Sequence, residues 1–255
     1  MKRAEFTKKL IKQIAKTNFE FELIKDKDKV LVGLSGGKDS LTLIHALKHI
    51  QRVAPYSFEF KAVTISYGMG ENYDYLKKHC QEYEIEHEIY ETEIFEIAKD
   101  KIRKNSSYCS FFSRMRRGAL YTYALENGFN KLALGHHFDD AVESFFMNMF
   151  YNGAMRSMPP IYKTEKGLYV IRPLIEVRER QLKGFVERNN FFAIGDEMCP
   201  AMRFDIKEPY VRENMKSFVA DLEKRFPDVI KYIKASFRHI HDDTFLDKTR
   251  FNLGE

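Results

Sequence analysis

Apolar positions along the chain follow two rhythms. Near the start, Phe6, Leu10, Ile11 and Ile14 recur at helical spacing and predict an amphipathic helix over 1–24. Short, β-branched apolar runs then predict strands over 29–34, 58–66, 86–92, 131–135 and 169–173. Between them, helical patterns cover 39–50, 73–83, 93–101, 113–127, 139–151 and 179–189. Strands alternating with helices predict an α/β class: a doubly wound, mostly parallel, five-stranded sheet. From about residue 195 the strand signal stops, and helical stretches recur over 211–225 and 227–239. The expected organisation is a leading helix over 1–28, an α/β domain over 29–194 and a helical C-terminal extension over 195–255.

Composition narrows this picture. The chain has 255 residues, 44% of them apolar, enough for a full core without disulfide staples. No apolar run approaches the roughly 18 residues of a membrane span. The basic start of the chain lacks the uninterrupted apolar stretch of a secretory signal. Cysteine occurs three times, as Cys80, Cys109 and Cys199, with no local pairing pattern. Reduced thiols in a cytoplasmic protein are the expectation.

The net charge is a mild +5, but it is unevenly spread. Residues 101–118 carry Lys101, Arg103, Lys104, Arg114, Arg116 and Arg117 and no acidic side chain. Such a stretch attracts a polyanion, with a solvated helix face as the plainer reading.

The most informative segment is Val30-Leu-Val-Gly-Leu-Ser-Gly-Gly-Lys-Asp-Ser-Leu. A strand runs into Ser35, Gly36, Gly37, Lys38, Asp39 and Ser40, and then a helix begins. Glycines let backbone N–H groups turn toward an anion, and a helix N-terminus adds partial positive charge. Lys38 adds a full charge, and Ser35 and Ser40 add hydroxyls. The spacing is not that of a Walker loop, because three residues separate Gly33 from Gly37 and Asp39 follows the lysine. An aspartate beside phosphate calls for an intervening cation, and Mg²⁺ bridges carboxylates and phosphate oxygens in that way.

Leu132-Ala-Leu-Gly-His-His-Phe-Asp-Asp-Ala-Val-Glu-Ser also ends a strand. Ligands of open parallel sheets bind at such carboxyl ends. Gly135 permits close backbone approach, and His136, His137, Asp139, Asp140 and Glu143 crowd together. One of Asp139 and Asp140 is expected to cap the helix, leaving the other for a metal. No Cys-x-x-Cys or His-Glu-x-x-His spacing supports a zinc site.

Together these segments resemble the PP-loop ATPases, the N-type ATP pyrophosphatases. Arg114-Met-Arg-Arg-Gly-Ala-Leu-Tyr, Asn148-Met-Phe-Tyr-Asn-Gly, Ser157-Met-Pro-Pro and Val170-Ile-Arg-Pro-Leu narrow the resemblance to the tRNA-cytidine 2-sulfurtransferase family. It runs from about residue 30 to about residue 230. It implies an adenine nucleotide alpha hydrolase-like fold and ATP-dependent adenylation of the C2 oxygen of a tRNA cytidine, with pyrophosphate released and sulfur then displacing AMP. By motif match, Ser35, Gly36, Gly37, Lys38, Asp39, Ser40 and Gly135 bind ATP, Asp39 and Asp140 are Mg²⁺ candidates, and His137 lies near the reacting phosphate. Asp39, His137, Cys109 and Cys199 are the catalytic candidates. Arg103, Lys104, Arg114, Arg116 and Arg117 would meet tRNA phosphates, and Arg156 and Arg172 would assist either phosphate. The resemblance also admits a sulfur-donor protein and a second copy of the chain as partners.

The chain departs from the family at its thiols. The sulfurtransferases carry two Cys-x-x-Cys pairs, three of whose thiols hold a 4Fe–4S cluster. Here the first pair reads Cys109-Ser-Phe-Phe112 and the second Cys199-Pro-Ala-Met202. Phenylalanine cannot ligate iron and methionine is a poor substitute for a thiolate, so an ordinary cluster is not expected. Three readings stay open. One is thiolation through Cys109 and Cys199 without a cluster, as in 2-thiouridylases. Another is adenylation with a different nucleophile, as in lysidine synthetases. The third is nucleotide-dependent RNA binding without catalysis.

Overall fold

The computed structural model describes residues 2–101, 108–195, 211–241, 244–247 and 249, with the side chains of 100, 101 and 108–110 left aside. Helix α1 (Lys8–Glu20) starts at Thr7, whose hydroxyl accepts the Leu10 N–H at 3.2 Å. That cap ends the amino side of the helix seven residues later than the apolar rhythm suggests.

Six strands form one sheet in the order β3-β2-β1-β4-β6-β5. They are β1 (Lys29–Gly33), β2 (Glu59–Ile65), β3 (His87–Tyr90), β4 (Lys131–Ala133), β5 (Ile161–Lys163) and β6 (Tyr169–Ile171). The first four and β6 pair in parallel. The expected count of five therefore falls short by β5, an antiparallel edge strand that pairs Tyr162 with Val170. It returns into β6 through a turn at Gly167, whose φ is +89°.

Helices α2 (Lys38–Val53), α3 (Asp74–Glu82), α4 (Ile94–Lys101), α5 (Tyr108–Glu126), α6 (Phe138–Asn152) and α7 (Glu179–Arg188) connect or follow the strands. Alternation along β1 sends Val30 and Val32 to one face and Leu31 to the other. The first face buries Leu10, Ile14, Leu43, Leu47, Leu76 and Phe185 from α1, α2, α3 and α7. The second buries Ala98, Phe112, Leu120 and Ala124 from α4 and α5. At the amino end of the sheet, Lys131 Nζ sits 2.7 Å from Asp28 in a buried ion pair and also donates to the Leu23 carbonyl.

The chain divides into two compact units, Met1–Ala141 with Ser157–Pro209, and Val142–Arg156 with Tyr210–Glu255. The leading helix thus shares the core of the sheet unit. The second unit takes the later part of α6 together with α8 (Val211–Arg225) and α9 (Val229–Ser236). Aromatic rings meet within it: Phe146 and Phe150 pack on Phe218, with centroids at 5.3 and 5.5 Å, and Phe145 packs on Phe237 at 5.2 Å. Among the described residues, no helix is long and apolar enough to cross a membrane.

Candidate active site

Strands β1, β4 and β6 lie side by side, and their carboxyl ends bring three loops together. The loop after β1 turns at Gly36 with φ +84°. A side chain there would also collide with the Tyr75 hydroxyl and with Ile194, whose Cδ1 would lie 2.7 Å from its Cβ. Gly36 is therefore required twice, by its backbone and by its surroundings. The Gly36 carbonyl accepts the Ile194 N–H at 3.0 Å, so the segment after α7 crosses the loop.

Gly37 is the N-cap of α2 and has no side chain with which to cap it. The first N–H groups of α2 are left for an anion. The loop holds its own shape through Ser40: its hydroxyl donates to the Gly37 carbonyl at 3.0 Å and accepts the Ser35 N–H at 3.2 Å. Thr42 ties down the Lys38 carbonyl at 2.7 Å.

Lys38 Nζ lies 3.1 Å from Glu179 at the start of α7 and 3.4 Å from Asp39. Burial works to lower the Lys38 pKa, and the two carboxylates outweigh it, so the ammonium stays charged. Asp39 goes the other way. Burial raises its carboxyl above the ordinary value against the pull of Lys38 and His137, and Asp140 adds to the rise. Its Oδ1 is buried and accepts no hydrogen bond.

The loop after β4 supplies the facing wall. Gly135 packs so closely on the first loop that a Cβ would stand 3.2 Å from Asp39 C and Ser40 N. His137 is buried, with Nε2 3.9 Å from Asp39 Oδ1 and 3.6 Å from Asp140 Oδ2. Of the two aspartates in sequence, Asp140 is the one that caps: its Oδ2 accepts the His137 N–H at 2.9 Å. Asp139 instead fastens α7 to the site, accepting Arg178 Nε at 2.9 Å and the Glu179 N–H at 2.7 Å.

The structure thus brings together Ser35, Gly36, Gly37, Lys38, Asp39, Ser40, Gly135, His137 and Asp140. Arg178, Glu179, Tyr75 and Ile194 join them without having been legible, since each comes from an element far away in sequence. Among the described residues, no three His, Cys, Asp or Glu side chains form a ready-made metal cage. Asp39 nevertheless suits a cation that takes most of its ligands from water and phosphate. Its buried, unpartnered oxygen faces a site with a second carboxylate near the same imidazole.

Arg114, Arg116 and Arg117 lie on α5, with Arg116 donating to the Tyr67 hydroxyl at 3.4 Å. Arg103, Lys104, Cys199 and Met202 fall outside the described residues, and Cys109 is described only as backbone within α5. Phe112 is buried in the second core, with Tyr67 and Phe111 edge-on to its ring. The remaining thiol, Cys80, is sealed in the first core, where burial pushes it up to about 12.

Comparison with known proteins adds the lineage. The PP-loop domain family matches residues 4–216. A tRNA-cytidine(32) 2-sulfurtransferase of Citrifermentans bemidjiense is 38% identical over 248 residues, 96% of this chain and 95% of its own. One of Pseudomonas fluorescens strain SBW25 is 37% identical over 236 residues, 92% of this chain and 84% of its own. Among solved structures, the U34-tRNA thiolase NcsA from Methanococcus maripaludis, with its 4Fe–4S cluster, is similar in fold. Its TM-score is 0.73 at 24% identity, over 94% of this chain and 82% of that one. With a phosphate loop built as described and sulfurtransferase relatives aligned along nearly its whole length, the chain belongs to the PP-loop family, among the tRNA-cytidine 2-sulfurtransferases.

Proposed function

We propose that this protein is an ATP-dependent tRNA-thiolating enzyme that adenylates a base, a cytidine at its C2 oxygen, and then replaces AMP with sulfur. The observation that carries the proposal is the loop after β1. It joins an uncapped helix N-terminus, a charged lysine and a buried carboxylate oxygen without a donor. The near full-length similarity to sulfurtransferases supplies the substrate class.

ATP places its pyrophosphate portion on residues 35–40. Lys38 exchanges Glu179 for phosphate oxygens, and the first N–H groups of α2 donate to them. Asp39 and Asp140 would hold Mg²⁺, which would supply positive charge to offset that of the departing pyrophosphate. His137 stands beside both carboxylates, and Asp140 fixes its backbone. Arg178 and Asp139 keep the wall of the site in place while charge moves.

For the sulfur step, the residues at hand do not suit a three-thiolate cluster: Phe112 packs in the core and Met202 replaces the other cysteine. Cys109 and Cys199 suit the cluster-free route instead. The terminal sulfur of a persulfide on one of them attacks the adenylated carbon as AMP leaves. The second thiolate then cleaves the S–S bond, releasing the thiolated base and leaving a disulfide for an external reductant. A sulfur-donor protein would load the persulfide.

Incubation of the protein with ATP, Mg²⁺ and bulk tRNA from a strain lacking the gene is expected to yield AMP and pyrophosphate. ADP and phosphate as the only products overturn the proposal. Nucleoside mass analysis of that strain's tRNA is expected to show a missing thionucleoside. Loss of a lysine adduct points instead to lysidine-type chemistry.

A further inference from the structure

The search for features unused by this mechanism leads to Arg172, directly after β6. Its side chain is buried, 5% exposed, yet among the described residues it meets no carboxylate. Nη1 donates to the Pro159 carbonyl at 2.7 Å, Nε donates to His136 Nδ1 at 3.3 Å, and the guanidinium lies 5.2 Å from the centre of the Tyr162 ring. The Tyr162 hydroxyl is 2.6 Å from that of Tyr121 on α5. Arg117 stands one helical turn before Tyr121 on α5, so its positive charge and that of Arg172 both bear on the Tyr121 hydroxyl. Arg117 has no ion-pair partner among the described residues. Two cations bearing on one tyrosine pair, one of them desolvated and neither neutralised by a carboxylate among the described residues, are costly to the protein. An anion seated between them would remove that cost.

We propose that Arg172, with Arg117, is a subsite for one phosphodiester of the RNA beside the nucleotide being modified. The inference rests on the tRNA-modifying function proposed above. Three features select the RNA backbone over a phosphate of ATP. First, β6 is two strands from β1 in the sheet, about 10 Å at ordinary strand spacing, so the site lies to one side of the phosphate loop. An RNA strand that presents its base at the loop continues past that point and carries its own phosphates there. Second, Arg114, Arg117 and Tyr121 follow at i, i+3 and i+7 on α5 and share one face of the helix. They form a file of donors from the exposed Arg114 to the half-buried Arg117 and on to Arg172. Third, the tyrosine hydroxyls and the planar guanidinium suit hydrogen bonding to a phosphate from several sides.

The test measures binding of two probes, ATP with Mg²⁺ and bulk tRNA from the deletion strain, to the full chain at several salt concentrations. Arg172→Gln is expected to weaken tRNA binding about tenfold or more and to lower the salt slope by about one phosphate's worth, with ATP affinity within about twofold of wild type. Arg172→Lys, which keeps the charge but not the fork, is expected to restore the salt slope and part of the affinity. Arg117→Gln, on a more open surface, should show the same pattern on a smaller scale and guards against a folding defect at the buried site. A fall in ATP affinity with tRNA binding intact overturns the proposal and assigns Arg172 to the nucleotide. Unchanged binding of both probes, with only a lower Tm, overturns it in favour of a packing role. Failure of the wild-type protein to bind tRNA at all overturns the proposed function, and the subsite with it.

Discussion

Gly36→Ala puts the account of the phosphate loop at risk through the fold itself. The backbone at Gly36 has φ +84°, a left-handed conformation that costs an alanine about 1–2 kcal/mol. The new methyl would also meet Ile194 Cδ1 at 2.7 Å and the Tyr75 hydroxyl at closer range still. Ile194 is held by its own N–H on the Gly36 carbonyl, so the segment cannot step aside without losing that bond. Relief of such overpacking typically costs about another 1–3 kcal/mol. The sum, about 2–5 kcal/mol, corresponds to a fall in Tm of roughly 5–15 °C for a domain of this size. Thermal and urea unfolding read it directly. Adding Ile194→Ala should recover part of the loss, because the two changes share one contact.

Gly37→Ala is the control. Gly37 has φ −73°, and its nearest neighbours would lie at 3.6 and 3.7 Å, ordinary contact distances. Its stability should change by less than about 1 kcal/mol. Its ATP affinity should fall about tenfold or more, since the methyl would stand at the uncapped N-terminus of α2, where phosphate is proposed to bind. A Gly36→Ala protein as stable as wild type would refute the geometry assigned to the loop. A Gly37→Ala protein that binds ATP normally would refute its use.

Asp39→Asn should cut ATP turnover by at least about 100-fold while making the nucleotide-free protein more stable near neutral pH. Burial raises the Asp39 pKa, so the folded state prefers the protonated form, and stability is lost as pH rises through the folded value; the advantage of the Asn variant should vanish in acid. His45 carries the opposite dependence. It is buried against His79, with Nε2 atoms 2.8 Å apart, and burial holds its pKa down near 3. The unfolded chain takes up a proton from about pH 6.5 that the folded one refuses, so stability falls as pH drops between 6.5 and about 3. His45→Leu should flatten that limb of an unfolding–pH series by about 1.4 kcal/mol per pH unit. Phe112→Cys, which rewrites the family spacing, should lose about 2–4 kcal/mol to the cavity it opens, by urea unfolding. It should bind no more iron than wild type by metal analysis.

Local signals were readable wherever one short segment carries the whole device. Gly36, Gly37, Lys38, Asp39 and Ser40 are contiguous, and their chemistry survives any error in the surrounding elements. The parallel strands were visible because buried strands are continuous apolar runs. Strand β5 was not: three residues are too few to show an alternation, and its pairing with β6 depends on the turn at Gly167. The division of labour between Asp139 and Asp140 was equally hidden. It is decided by Arg178 and the Glu179 N–H, which arrive from α7 some 40 residues later in the chain. Phe112 shows the same limit in reverse. The family resemblance marks it as a lost ligand, while only packing reveals that it is a core side chain.

The site is in conflict with itself, and under the proposed function that conflict ties its two ligands together. Lys38 and the first N–H groups of α2 invite an anion, but Asp39, raised by burial and by Asp140, repels one. The carboxylates invite a cation, but Lys38, 3.4 Å from Asp39, repels that in turn. The compromise in the free protein is to lend Lys38 to Glu179 and to leave Asp39 Oδ1 without a donor. A triphosphate and a divalent cation arriving together settle both sides, since each masks the charge that excludes the other. In the proposed function the affinity for ATP is therefore coupled to Mg²⁺ by the protein's own electrostatics as well as by the metal's affinity for phosphate. Neutralising Asp39 should loosen that coupling, raising affinity for metal-free nucleotide at the same time as it removes catalysis.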